Sequence, residues 1–141
     1  SRGLGDVYKR QYYESLKKLI EEYRLKNRVY FYEAKNDIRE VYFLSEVILN
    51  LSSIPEAFGM KLLEAAMMEK KIAGWDHGGS GEILDMCFPQ GKVEFNNFDL
   101  LCQKIKELAS NDEVPKNIFL TSTLLHEKTV AFYLDALNKN Y

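Results

Sequence analysis

Two short, mainly apolar runs, Val47 to Leu51 and Lys71 to Trp75, stand on either side of an amphipathic stretch from about Gly59 to Glu69. That order constrains the fold more than anything else in the chain. Runs that are apolar almost throughout are buried on both faces, as parallel strands are. Two parallel strands in succession need a crossover, and a helix between them supplies it. Within the stretch, Leu62, Leu63, Ala66 and Met67 recur at three- and four-residue steps and predict the inward stripe of such a helix. The loop Ser52-Ser53-Ile54-Pro55 joins the first strand to it.

The same alternation runs through the rest of the chain. Tyr12 to Lys26 predicts a helix on Leu16, Leu19, Ile20 and Tyr23, and Val29 to Tyr32 a short β-branched and aromatic strand. Asp37 is expected to cap a helix carrying Ile38, Val41, Tyr42 and Leu44. After the loop Asp76 to Gly81 a short helix is expected from near Gly81-Glu82, then a strand over Lys92 to Phe95. A further helix opens near Asp99 and runs to Ala109, with Leu100, Leu101, Ile105 and Leu108 inward. Past the break at Asn111 to Pro115 the chain reads as helical to its end, most strongly from Glu127 to Leu137. Strands alternating with helices predict the α/β class: a Rossmann-like parallel sheet flanked by helices. Ligands of such sheets bind outside the carboxyl ends of the strands. The loops 52–59 and 76–81 both follow strands, so both are expected at that edge.

A length of 141 residues is enough for one domain with a core. A net charge of -2 carries no nucleic-acid footprint, and Cys87 and Cys102 lack metal-ligand spacing, so reduced thiols are expected. No apolar run reaches the ~20 residues of a membrane span, and a cytoplasmic setting is expected, with peripheral membrane attachment of a full-length enzyme left open. Residues 1–11 have no apolar period. Their segment Asp6 to Gln11 reads like the translated end of a transposon adapter from a sequencing library. They are expected to be a disordered lead outside the fold, with the reading frame truncated on its N-terminal side.

The chemistry concentrates at Pro55 to Ala65. The first turn of the helix at Phe58-Gly59-Met60 has N–H groups without intrahelical partners, and its dipole favours an anion such as a diphosphate. Glu64 lies beyond that first turn, and a carboxylate there can accept both hydroxyls of a ribose. Glu56, in the loop, can reach sugar hydroxyls or the reacting carbon. The plain alternative is that Glu56 pairs with the helix N-terminus and Glu64 is solvated. His77 lies in a loop beside the site, His126 reads as an ordinary residue of the last segment, and no Ser-His-Asp, Cys-His or metal cluster can be made out.

The run Pro55 to Ala65 resembles the donor-binding domain of retaining group 1 glycosyltransferases of the GT-B fold. The likeness rests on Glu56, Phe58, Gly59, Glu64 and Ala65, followed by Asp76-His77-Gly78-Gly79-Ser80-Gly81-Glu82, and extends over roughly Tyr12 to Tyr141. The closing segment Ala131-Phe132-Tyr133-Leu134 also looks like that family's terminal helix. By this resemblance Glu56 contacts the donor sugar as the catalytic acid, and Glu64 holds the ribose. Phe58, Gly59 and Met60 approach sugar and diphosphate with their backbone, and Gly78 and Gly79 shape the sugar pocket. The resemblance further implies a UDP- or GDP-type sugar as donor and chemistry without a metal or other cofactor. Residues 12–141 would then be a nucleotide-sugar-binding Rossmann-like domain lacking its first strand–helix unit, the partial C-terminal half of a GT-B fold. The upstream diphosphate-binding Arg and Lys and the N-terminal acceptor domain would lie outside this chain. The chain departs from the family at Glu33, where a Gly is common, at Glu69-Lys70-Lys71, where Gly-Lys-Pro is common, and in the short stretch Asp85 to Gly91. Two other readings stay open: a nucleotide-sugar epimerase or hydrolase of the same fold, and a non-enzymatic α/β binding module.

Overall fold

The computed structural model describes residues 3–32, 38–116, 123, 126 and 127. The chain falls into two compact units, 1–36 and 37–141.

In the first unit, helix α1 spans Gly3–Glu22. The lead expected to be disordered is therefore helical from Gly3 onward. No proline interrupts this stretch, and a helix once nucleated over Tyr12 to Glu22 propagates backwards at little cost. α1 also stops four residues short of the expected Lys26. Arg24 takes a left-handed φ of 54°, its N–H reaches the Glu21 carbonyl at 3.1 Å, and the Leu25 N–H reaches Ile20 at 2.8 Å. This is a Schellman closure, which satisfies the last carbonyls and turns the chain out of the helix. Val29 to Tyr32 form no strand. A β-branched run becomes a strand only beside a partner, and none pairs with it among the described residues.

The second unit carries the sheet. Helix α2 spans Arg39–Leu44, with Ile38 at its N-cap; the expected cap Asp37 lies outside the described residues. Strands β1 (Val47–Asn50), β2 (Lys71–Trp75) and β3 (Lys92–Val93) form one parallel sheet in the order β1-β2-β3. Between them lie α3 (Met60–Met67) and α4 (Gly78–Cys87), and α5 (Phe98–Ala109) follows β3. From α2 to α5 the alternation read from the sequence is thus the alternation of the fold. β2 is central and buried at every residue.

α3 turns Leu62, Leu63, Ala65 and Ala66 inward, where they meet Ile72, Ala73, Ile83, Leu84, Phe88 and Leu108 in the main core. Met67, expected in that stripe, is 63% exposed, and Ala65 takes the place inside. A second cluster joins Trp75, Val93 and Leu101, with Leu100 and Ile105 partly buried against it. α5 is capped by Asn97, whose Oδ1 accepts from the Leu100 N–H at 3.0 Å; Asp99 is the acid of its first turn. Cys87 is buried and its thiol is pushed up to about 11 by desolvation, while Cys102 is exposed; both are free. Apart from Glu127, the expected helix 127–137 lies outside the described residues, as does the closing segment at 131–134.

Candidate functional site

The β1–α3 loop and the start of α4 meet backbone to backbone. The Gly79 N–H donates to the Glu56 carbonyl at 2.6 Å. A Cβ on Gly79 would lie 2.5 Å from the Phe58 backbone, and one on Gly59 would lie 2.7 Å from the Gly79 carbonyl. Gly78, at φ 54°, comes equally close to the Glu56 carbonyl, at 2.7 Å from its would-be Cβ. Four residues singled out in the sequence, Phe58, Gly59, Gly78 and Gly79, are therefore parts of one seam. Its tightness also explains why α4 starts at Gly78 and not near Gly81. Gly-Gly-Ser-Gly has poor helix propensity, but only residues without bulk fit against Phe58 and Gly59, and packing overrides propensity.

Gly59 is the N-cap of α3, left-handed at φ 60° and without a side chain to cap the helix. Among the described residues, nothing accepts a hydrogen bond from the N–H groups of Met60 and Lys61. Met60 is 48% exposed, so the helix tip opens to solvent beside the seam. Glu64 follows one turn later on the same exposed face as Met60, by the i, i+4 rule. Its charge is felt by Tyr42, whose hydroxyl pKa is raised first by burial and then by Glu64.

Glu56 is half-buried and held at its side chain as well as its backbone. Its Oε1 accepts from the Asn50 amide nitrogen, which also donates to Ser80 Oγ at 2.9 Å. Asn50 closes β1 and is 6% exposed. Neither Asn50 nor the role of Ser80 as its partner was read from the sequence. The signal was a single amide at the end of an otherwise apolar strand, where burial demands a hydrogen-bond partner.

His77 is the extended N-cap residue of α4. Its Nε2 lies 3.0 Å from the Ser52 carbonyl, and its ring stacks on Phe95 at 4.6 Å between centroids. It thus ties the first loop to the segment after β3. Asp76, at the end of β2, pairs with Lys92 at 3.3 Å, and Lys92 also reaches Asp85 at 2.7 Å. His126 is exposed. Two clefts lie elsewhere. One of about 420 Å³ runs along Asp85 to Gln90 and Glu113, and one of about 500 Å³ lies between Phe43, Leu44 and Met68. No helix is long and apolar enough to cross a membrane among the described residues.

The family model of group 1 glycosyl transferases matches residues 4–120. The chain belongs to this family. A crystal structure of a glycosyltransferase from Rickettsia africae ESF-5 superposes with a TM-score of 0.68 at 26% identity, covering 90% of this chain and 37% of that one. This chain therefore spans little more than a third of that relative's length. No curated protein matches it in sequence. For a group 1 glycosyl transferase, the parallel sheet and its flanking helices are the expected frame, and the seam, the helix tip and both acids stand on that frame at the carboxyl ends of β1 and β2.

Proposed function

We propose that this chain supplies the donor-binding wall of a retaining, GT-B-type glycosyltransferase that moves a hexosyl group from a UDP- or GDP-type sugar to an acceptor. The observation that carries the reading is the solvent-open tip of α3, whose Met60 and Lys61 N–H groups have no partner among the described residues, with Glu56 before it and Glu64 after it in the chain. Two N–H groups and the helix dipole favour a diphosphate there. Glu64, one turn further on, accepts the ribose hydroxyls. Glu56 accepts from the donor sugar on the other side of the tip, close to the carbon that reacts. Phe58, Gly59 and Met60 approach with their backbone, and Gly78 and Gly79 set the floor of the sugar pocket.

The leaving diphosphate gains negative charge as the glycosidic bond lengthens, and preoriented N–H groups stabilise that charge without reorganisation. In this reading the remaining neutralisation comes from cationic side chains and no metal is required. Transfer itself belongs to the whole enzyme, whose N-terminal domain supplies the acceptor wall, because a one-walled site neither excludes water nor aligns an acceptor.

Calorimetric titration with a panel of UDP- and GDP-sugars tests the reading. Replacing Glu64 by Ala is expected to weaken the bound donor about tenfold or more, the loss of charged hydrogen bonds to a diol. Unchanged affinity in Glu64→Ala removes the ribose role and with it the proposed orientation of the donor.

A further inference from the structure

We propose that Asn50 is the positioning residue for Glu56, an inference that rests on the donor-site reading of that acid. Asn50 closes β1, in register with Gly74 of β2. Its side chain stands at the carboxyl edge of the sheet and is 6% exposed. A primary amide has two N–H bonds, and both are used: one on Glu56 Oε1, the other on Ser80 Oγ at 2.9 Å. The amide's orientation follows from the chemistry, since turning it over would set its carbonyl oxygen against a carboxylate.

The result is a clamp with one arm on the loop and one on the first turn of α4. The Glu56 carbonyl is held as well, by the Gly79 N–H at 2.6 Å. Backbone and side chain of the acid are thus fixed from two directions. A carboxylate has two oxygens, and a single donor on Oε1 leaves Oε2 for a hydroxyl of the ligand. A neutral donor suits this task. Lysine would pair with the acid and spend its charge, and aspartate would set a second negative charge against the first.

The test uses the chain as it stands, with UDP-glucose and GDP-mannose as probes. Asn50→Ala is expected to weaken whichever probe binds by about tenfold, the loss of one charge-assisted contact that aligns the acid. Asn50→Asp is the sharper variant. At pH 8 two carboxylates face each other and binding falls as in Asn50→Ala. At pH 5 the pair shares a proton, the O–H donor is restored, and affinity returns to within about threefold of wild type. Comparison with wild type at each pH removes the contribution of the other charged or ionisable groups near this edge, Glu64, Asp76, His77, Glu82 and Lys92. A purely structural asparagine gives no such recovery.

Ser80→Ala, which frees only the second arm, is expected to cost about threefold. Wild-type binding in Asn50→Ala, or no recovery in Asn50→Asp at pH 5, overturns the inference. If Asn50→Ala does not fold, the pH recovery of Asn50→Asp and the loss in Ser80→Ala decide. Glu56→Gln separates the two levels. If it weakens binding while Asn50→Ala does not, the positioning role alone fails. If Glu56→Gln binds as wild type, or neither probe binds the wild type, the reading of Glu56 fails and this inference falls with it.

Discussion

The two ends of α3 both depend on a left-handed residue, yet one is glycine and the other is not. At the N-terminal end Gly59 stands at φ 60°, and at the C-terminal end Glu69 stands at φ 55°. Glu69 closes the helix as a Schellman residue: its N–H reaches Ala66 at 2.8 Å and the Lys70 N–H reaches Ala65 at 3.1 Å. Here a side chain costs only conformational energy, because it points into solvent. At Gly59 the cost is also steric, because a Cβ would meet the backbone of α4 at 2.7 Å. Dihedral strain alone can be tolerated for the sake of other demands, but strain combined with a collision against backbone cannot.

Substitutions at these positions can break or sharpen that contrast. Gly59→Ala is expected to have the largest effect, about 4 kcal/mol of destabilisation, by adding left-handed strain to overpacking. Urea unfolding followed by circular dichroism reads it, and a loss under 1 kcal/mol would show that the two loops separate easily. Gly79→Ala comes next at about 3 kcal/mol, from overpacking alone, since Gly79 is helical. Both variants are expected to lose donor binding in the same titration, since both displace Glu56. Glu69→Gly should do the opposite and stabilise by about 1 kcal/mol, a rise of about 4 °C in melting temperature. Glu69→Ala keeps the strain and should move stability by no more than about 0.5 kcal/mol. If Glu69→Ala stabilised as much as Glu69→Gly, the left-handed penalty would not be the cause.

The run Glu69-Lys70-Lys71 stood out in the sequence only as a departure from the family's pattern, and its left-handed turn emerged with the structure. The sheet was legible in its two longer strands, while β3 ends at Val93 and not at the expected Phe95. β2 fell on Lys71 to Trp75 because a strand buried on both faces has one reading, and β1 differed from expectation by a single residue. Segments whose fate depends on a neighbour were not legible. Val29 to Tyr32 has strand propensity and no partner among the described residues, and Gly78 to Ser80 looks like a loop until Phe58 and Gly59 are set against it. The structure brings the backbones of Glu56, Gly59 and Gly79 together. Asn50 and Ser80 escaped notice because a lone amide and a lone hydroxyl thirty positions apart have meaning only when the fold brings them to 2.9 Å.

The seam between the two loops has a bearing on how the proposed site can change over time. Where main chain touches main chain there is no slack to absorb an inserted residue, so a lengthened loop on one side must be answered by an altered loop on the other. New ligand preferences are then free to arise only along the rim, at exposed positions such as Ala57, Met60 and Glu64. Diversification here proceeds by redecorating the lip of a fixed vessel.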